Sequence, residues 1–335
     1  MRVAHIMAGA AHGGAELFYE RLVRAQHDAG DEVRAILRPD APRLARLSGI
    51  PVDTLPFGPP YDLLTPWRLR RMLRRFAPDV AVAWMNRASA AMPRGDWVSA
   101  GRLGGYYPPR YYRRCDHLIG NTRGIVDWLR TQGWPAARTH YLPNFVDDFS
   151  DAIPAPDLQG LSRPLLLGLG RLHTDKGFDT LIRALPGLPG TLAIAGTGPE
   201  HANLVELARV EGVADRVKFL GWRTDPGALL AACDVFVCSS RVEPLGNMIL
   251  EAWSARRPVV AADADGPREL IIGDQDGLLV PRDDARALAD VILRALDPFR
   301  SADLAASGRA RYEAAFARPA VLALWRDTLA GLRKP

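Results

Sequence analysis

The stretch Ser239-Ser240-Arg241-Val242-Glu243-Pro244-Leu245-Gly246-Asn247-Met248-Ile249-Leu250-Glu251 decides how the chain is read. The run before it, Asp234-Val235-Phe236-Val237-Cys238, is short, β-branched and aromatic, which predicts a strand buried in a parallel sheet. It empties into a loop carrying Glu243, Pro244, Leu245 and Gly246, and a helix is predicted from about Asn247 through Ala255. Open α/β sheets bind ligands at the carboxyl ends of their strands, and the free N–H groups of a helix start attract phosphate. Glu251 falls about two turns into that helix. Two carboxylates thus flank an anion site, and as pure acceptors they suit vicinal diols.

At 335 residues the chain exceeds one ordinary core, so two domains are expected. With 48% apolar and 24% charged residues it reads as globular, which excludes a disordered chain. No apolar run approaches the ~20 residues of a membrane span, and Met1-Arg2-Val3-Ala4-His5-Ile6 enters a strand without the look of a signal peptide. Cys115, Cys233 and Cys238 form no C-x-x-C pair, so a cytoplasmic protein is expected. The charge is uneven: residues 1–150 hold 21 arginines, no lysine and 14 acidic residues. Such a half implies an anionic partner (a membrane surface, a phosphorylated acceptor or nucleic acid) or a general arginine bias.

Val3–Met7 reads as the first strand, followed by a turn with Gly13, Gly14 and Glu16 and a helix to about Ala29. The paired glycines let backbone approach a ligand, but G-x-G-x-x-G is absent. In Trp67–Phe76, apolar Leu69, Met72, Leu73 and Phe76 recur at helical spacing with arginines opposite. Either a solvated basic face or an interfacial helix fits that pattern. Pro78–Arg87 reads as a strand ending in Asn86 and Arg87. Arg102–Arg114, with Tyr106 and Tyr107, reads as a loop whose Tyr and Arg suit sugar, phosphate or nucleic acid, or a structural role. Cys115–Thr122 predicts a strand running into a helix capped by Thr122 or Asn121. The proline-rich segment Asp151–Pro164 reads as a linker.

Beyond it, Leu165–Leu169 predicts a strand feeding the glycine-punctuated loop Gly170-Arg171-Leu172-His173-Thr174-Asp175-Lys176-Gly177. Strands ending at Gly196-Thr197-Gly198-Pro199 and at Leu220-Gly221 follow, and Arg311–Leu332 reads as helix. Asp263-Ala264-Asp265 and Asp274-Gln275-Asp276 have the D-x-D form but read as loop acids. No zinc spacing, P-loop, G-x-S-x-G or H-E-x-x-H is present.

These segments, in this order, resemble the retaining glycosyltransferases of the GT-B fold, family-4-like (glycosyl transferases group 1). The matching motifs are E-x7-E at Glu243 and Glu251, GGxE at Gly13–Glu16, G-R-L-x-x-x-K-G at Gly170–Gly177, GxGP at Gly196–Pro199 and V-x-F-x-G at Val217–Gly221. Tyr141–Asp147 matches a "PNGVD" turn with Phe145 where glycine is usual. The resemblance implies an α/β fold of two Rossmann-like domains facing a cleft. The acceptor-binding domain would span 1–155, joined by a C-terminal helix of about 317–335, and the nucleotide-sugar-binding domain 160–316.

The resemblance also implies roles. Glu243 would meet the donor sugar hydroxyls and Glu251 the ribose, while Arg171 and Lys176 would neutralise the departing diphosphate. Gly13, Gly14, Gly170, Gly196, Gly198, Leu220, Pro244, Leu245, Gly246 and Asn247 would complete the donor site. Glu16, Asn86, Arg87, Tyr106 and Tyr107 are the acceptor-side candidates. Many family members carry a His after the fourth strand; here no His falls between His27 and His117.

The expected reaction is sugar transfer with retention, without a metal or other cofactor, and with UDP-sugar favoured over GDP- or ADP-sugar. The acceptor would be a glycan or glycolipid of cell-surface polysaccharide or lipopolysaccharide synthesis. The expected location is the inner face of the cell membrane, with an anionic membrane surface as partner and no nucleic acid. A nucleotide-sugar epimerase of the same architecture, a non-catalytic nucleotide-sugar-binding relative and, more remotely, an NAD-dependent enzyme remain as alternatives.

Overall fold

A computed structural model describes residues 1–9, 13–58, 62 and 64–335. The chain divides into two units, Met1–Asn144 with Arg318–Pro335, and Phe145–Ala317. No described helix is long and apolar enough to cross a membrane.

The first unit is built on strands β1 (Arg2–Met7), β2 (Glu32–Leu37), β3 (Val52–Thr54), β4 (Val80–Trp84), β5 (Val98–Leu103), β6 (His117–Gly120) and β7 (Thr139–Tyr141). They form one parallel sheet in the order β3-β2-β1-β4-β5-β6-β7. β1 and β4 are central and covered on both faces, which is why Val3–Met7 and Val80–Trp84 carry almost no exposed position. Strand order reverses between β1 and β4, so the chain leaving each opens the switch point of this sheet.

One polar residue sits in that core. His5 is fully buried, with Nε2 2.6 Å from Gln26 Oε1, and Trp84 Nε1 donates to its Nδ1 at 3.1 Å. The indole can donate only to an unprotonated Nδ1, so the ring is neutral with its proton on Nε2. Burial, partly opposed by the Gln26 bond, pushes the His5 pKa down to about 4. His140, half-buried beside His117 and Arg130, is also lowered to about 4. Because the folded pKa lies below the unfolded value, stability is complete above pH ~6.5 and is lost as pH falls toward 4. His5 alone should cost the fold about 2 kcal/mol between pH 7 and pH 5. Urea titrations at the two pH values should show a loss smaller by that amount in His5→Asn, which keeps only the His140 contribution; equal acid sensitivity in both would contradict the account.

Three expectations are corrected in and around this unit. The strand expected to run to Arg87 stops at Trp84, and Met85–Ala90 is a short helix entered through Met85 at φ 63°. After Val82 no β-branched residue favours extension, and Ala88 and Ala90 favour helix. Arg102, expected in a loop, lies on β5 and is fully buried. The helix expected over Arg311–Leu332 is two helices, Pro298–Ala315 and Arg318–Gly331. Pro319 has no N–H for the Ala315 carbonyl, so the chain breaks at Phe316 and resumes with proline in a first turn, where it is tolerated. The second helix completes the first unit: Trp325 stacks on Trp84 at 6.2 Å between centroids and 5° between planes.

The second unit carries β8 (Leu165–Leu169), β9 (Thr191–Ala195), β10 (Val217–Phe219), β11 (Val235–Cys238), β12 (Val259–Ala262) and β13 (Leu278–Val280), all parallel, in the order β10-β9-β8-β11-β12-β13. Its order reverses between β8 and β11. The segment expected as linker, Asp151–Pro164, belongs to this unit. Ala155 and Leu158 are buried in its core, and Ala155 N–H donates to the Ala228 carbonyl at 3.0 Å. The passages between units fall instead at Asn144–Phe145 and Ala317–Arg318. The cysteines are buried and unpaired, and burial pushes the Cys115 and Cys233 thiols up to about 12.

Candidate active site

In the second unit, glycines let four strand exits meet backbone to backbone. Gly170 N–H donates to the Ala195 carbonyl at 3.0 Å and Leu172 N–H to Thr197 at 2.9 Å. Gly196, at φ 150°, faces the Gly170 carbonyl so closely that a Cβ would fall 1.8 Å from that oxygen. Its own N–H donates to the Gly221 carbonyl at 2.7 Å, which brings Leu220 to the same edge, and Gly198 lies against the Leu172 carbonyl.

The loop after β8 makes one turn at Thr174–Lys176 and enters helix Phe178–Ala184 through Gly177, which is left-handed at φ 60°. A Cβ on Gly177 would lie 2.1 Å from the Ser239 carbonyl, and Ser239 Oγ donates to the Lys176 carbonyl at 2.9 Å. These contacts tie the exits of β8 and β11 together across the switch point. Lys176 Nζ there meets Glu243 Oε2 at 2.6 Å, with the side chains only 15% and 11% exposed. The lysine stem covers Gly170.

Arg241 holds this arrangement. Its guanidinium donates to both Asp179 carboxylate oxygens (2.8 and 2.7 Å), to Asp283 (2.5 Å) and to the Thr174 carbonyl (2.7 Å), while its backbone N–H donates to the Asp175 carbonyl (2.8 Å). Burial pushes the Asp179 carboxyl up, and the Arg241 bonds prevail and hold it below its ordinary range. The sequence reading gave Arg241 no role; its acids lie far along the chain, and only the fold gathers them.

Beyond Glu243 the loop is pinned by Gly266 N–H donating to the Glu243 carbonyl at 2.8 Å. Pro244 is half-buried, Leu245 is buried, and Gly246 at φ 95° begins the helix Asn247–Ser254, on which Glu251 is half-buried. Arg171 is exposed and has no carboxylate partner among the described residues. So the edge carries a part-buried charge pair, a separate arginine and a helix start, a set fitted to an anion beside hydroxyl groups. Three of the four D-x-D acids are engaged elsewhere, Asp263 by Arg268, Asp274 by Arg294 and Asp276 by Arg311, and Asp265 is exposed. Among the described residues no cluster of three His, Cys, Asp or Glu is arranged to hold a metal ion.

In the first unit, Gly13 precedes the helix Gly14–Asp28, and the buried Glu16 carboxylate lies over Gly9 and Gly13, 2.4 Å from where a Cβ on either would stand. Ala10–His12 of that glycine loop lie outside the described residues. Arg102, at the end of β5, donates to Asn144 Oδ1 and lies over the Phe18 and Trp84 rings, 5.1 and 4.7 Å from their centroids. Its Nε and Nη1 have no acceptor among the described residues. Burial pushes its pKa down to about 9, against the pull of Tyr107, Tyr112 and Glu16. Glu16 and Tyr107 therefore gather at Arg102, which the sequence reading missed; its signal was the unbroken run Val98-Ser99-Ala100-Gly101 before it. Asn86 is occupied, accepting from Tyr112 at 2.8 Å. Tyr106 packs edge-on against Trp128, and Arg87 faces solvent.

Comparison with known proteins follows the same division. A model described as Glycosyltransferase Family 4 matches residues 12–148, and one described as Glycosyl transferases group 1 matches residues 163–298. The chain is 38% identical to the lipopolysaccharide core biosynthesis glycosyltransferase LpsE of Rhizobium meliloti, over 87% of this chain and 88% of that one. It is 35% identical to a GDP-mannose-dependent phosphatidylinositol monomannoside mannosyltransferase of Mycobacterium tuberculosis, over 82% and 78%. A crystal structure of Anabaena HepE in complex with UDP and glucose superposes with a TM-score of 0.82 at 23% identity, over 98% of this chain and 99% of that one. With two parallel Rossmann-like sheets and a relative of this closeness along most of its length, the chain belongs to the group 1, family 4 glycosyltransferases of the GT-B fold.

Proposed function

We propose that the second unit binds a nucleotide-diphosphate sugar and that the enzyme transfers its sugar, with retention of configuration, to a hydroxyl of a glycolipid or glycan held by the first unit. The observation that carries this reading is the Lys176–Glu243 pair at the switch point of the second sheet, next to the start of the Asn247–Ser254 helix. Diphosphate oxygens offer Lys176 a denser charge than one carboxylate, so donor binding draws the ammonium away and leaves Glu243 free to accept from sugar hydroxyls. Charge growing on the leaving diphosphate is met by Lys176, Arg171 and the helix N–H groups in place of a metal. The acceptor hydroxyl attacks from the leaving-group side and gives its proton to the departing diphosphate, with orientation supplying much of the rate.

The likeness to LpsE favours an acceptor of the lipopolysaccharide core, handled at the inner face of the membrane. Helix Leu64–Phe76, whose Arg68, Arg70, Arg71, Arg74 and Arg75 are exposed beside a 58% exposed Trp67, suits an anionic surface there. HepE, solved with UDP, favours a UDP-sugar; the mannosyltransferase makes GDP the competitor to test. Calorimetric titration of UDP, GDP and ADP without metal, into the parent and Glu251→Ala, should find one nucleotide that binds and is weakened at least ~10-fold by the substitution, as expected for loss of a charged acceptor. Binding by none of them would end the reading.

A further inference from the structure

At the opposite, amino-terminal edge of the first sheet, where the chain enters β5, β6 and β7, lies a cavity of about 250 Å³. Five cations line it: Arg94, Arg113, Arg114, Arg138 and Lys334. None has a carboxylate partner among the described residues. Arg138 is fixed, donating to the carbonyls of Asp116 (2.5 Å) and Cys115 (3.3 Å), and Lys334 donates to the Gly95 carbonyl. Arg94, Arg113 and Arg114 are exposed.

The single lining carboxylate, Asp116, is turned to the backbone: its Oδ2 accepts from Ser99 N–H at 2.9 Å and from Ser99 Oγ at 2.8 Å. Exposed Asp96 stands beside the cavity in sequence and does not line it. Trp97 forms one wall, and its buried indole N–H has no acceptor among the described residues. Five unneutralised cations around one concavity repel one another, and an anion entering it would relieve that repulsion. Arginine forks match the oxygens of phosphate bidentately, and the volume is ample for a phosphate group together with part of the molecule that carries it.

We propose that this cavity binds a phosphate monoester. It is separate from the carboxyl edge of the same sheet, since the six residues of β5 set the two edges ~20 Å apart. It is therefore an anchoring or effector site and takes no part in the transfer. The phosphate comes either from a lipid headgroup or from a small soluble phosphate, and two measurements separate these.

The first is calorimetry with inorganic phosphate at matched ionic strength, on Lys176→Ala protein with and without the further changes Arg94→Gln, Arg113→Gln and Arg114→Gln. Lys176→Ala weakens competition from the donor edge, and the three exposed arginines can be changed without opening the core. Saturable binding, weakened at least ~10-fold by the three changes, is expected if the forks hold phosphate. The second is co-sedimentation of parent protein with phosphatidylcholine vesicles containing phosphatidic acid, a monoester, or phosphatidylglycerol, a diester, at equal surface charge. Preference for phosphatidic acid, lost in the triple variant, assigns a headgroup; phosphate binding without that preference assigns a soluble phosphate. Absence of both, or phosphate binding that the three changes leave as strong as before, would overturn the proposal.

Discussion

Lys176→Ala is expected to lower kcat by ~10²–10³-fold, the usual cost of removing one preorganised charge donor from a developing anion. The substitution also leaves Glu243, 11% exposed, without its ammonium at 2.6 Å, so stability should fall as well. The two effects separate in a double-mutant cycle. Lys176→Ala with Glu243→Ala should recover roughly 1–3 kcal/mol of the stability lost by the lysine variant alone, since neither charge is then stranded. It should recover no activity, because groups that act as a unit are lost together. Lys176→Arg should be a poor substitute, since a planar fork does not occupy the place of a compact ammonium. A double variant that regained both stability and turnover would show the pair to be structural only.

Gly196→Ala should unfold or severely destabilise the second unit, at a cost of roughly 3–5 kcal/mol. The added Cβ would stand 1.8 Å from the Gly170 carbonyl oxygen, and that oxygen belongs to backbone that cannot swing aside. Overpacking of that kind costs about 1–3 kcal/mol, and φ 150° adds strain of similar size for a non-glycine residue. Gly212→Ala is the control: it also has positive φ, at 69°, but nothing lies within 4 Å of its Cβ. It should cost only about 1 kcal/mol. Urea midpoints of the two variants against the parent decide the matter, and equal losses would refute the claim that close backbone approach is what Gly196 provides.

The sequence made the second unit more legible than the first, for physical reasons. Its strands are continuous apolar runs stopped by glycine, as in Leu165–Leu169 before Gly170 and Thr191–Ala195 before Gly196. A short exit loop leaves little freedom in where Lys176 falls. The pairing of Lys176 with Glu243 follows from the contact of β8 with β11, which are distant in sequence, and no local pattern announces it. Arg241 was opaque for the same reason, because Asp179 comes from the helix Phe178–Ala184 and Asp283 from a turn about a hundred residues later. In the first unit the density of Arg and Tyr after Arg102 suggested a loop, while burial between two aromatic rings turned that arginine into part of a core. Asn86 read as a free polar tip because its partner, Tyr112, is reached only once the Met85–Ala90 helix has formed.

The return of residues 318–335 to the first unit sets an order of events on the ribosome. Met1–Asn144 emerges first, yet the stacking partner of Trp84, the indole of Trp325, is made only after all of Phe145–Ala317. Until then the nascent first unit lacks Val321, Trp325 and Leu329, each of which is almost wholly shielded from water in the finished protein. The second unit, continuous in sequence, can reach its native core during synthesis, whereas the first must wait for the last helix. The first unit can therefore complete its core only once residues 318–335 have been made, and until then the aromatic surface around Trp84 is a natural substrate for chaperones.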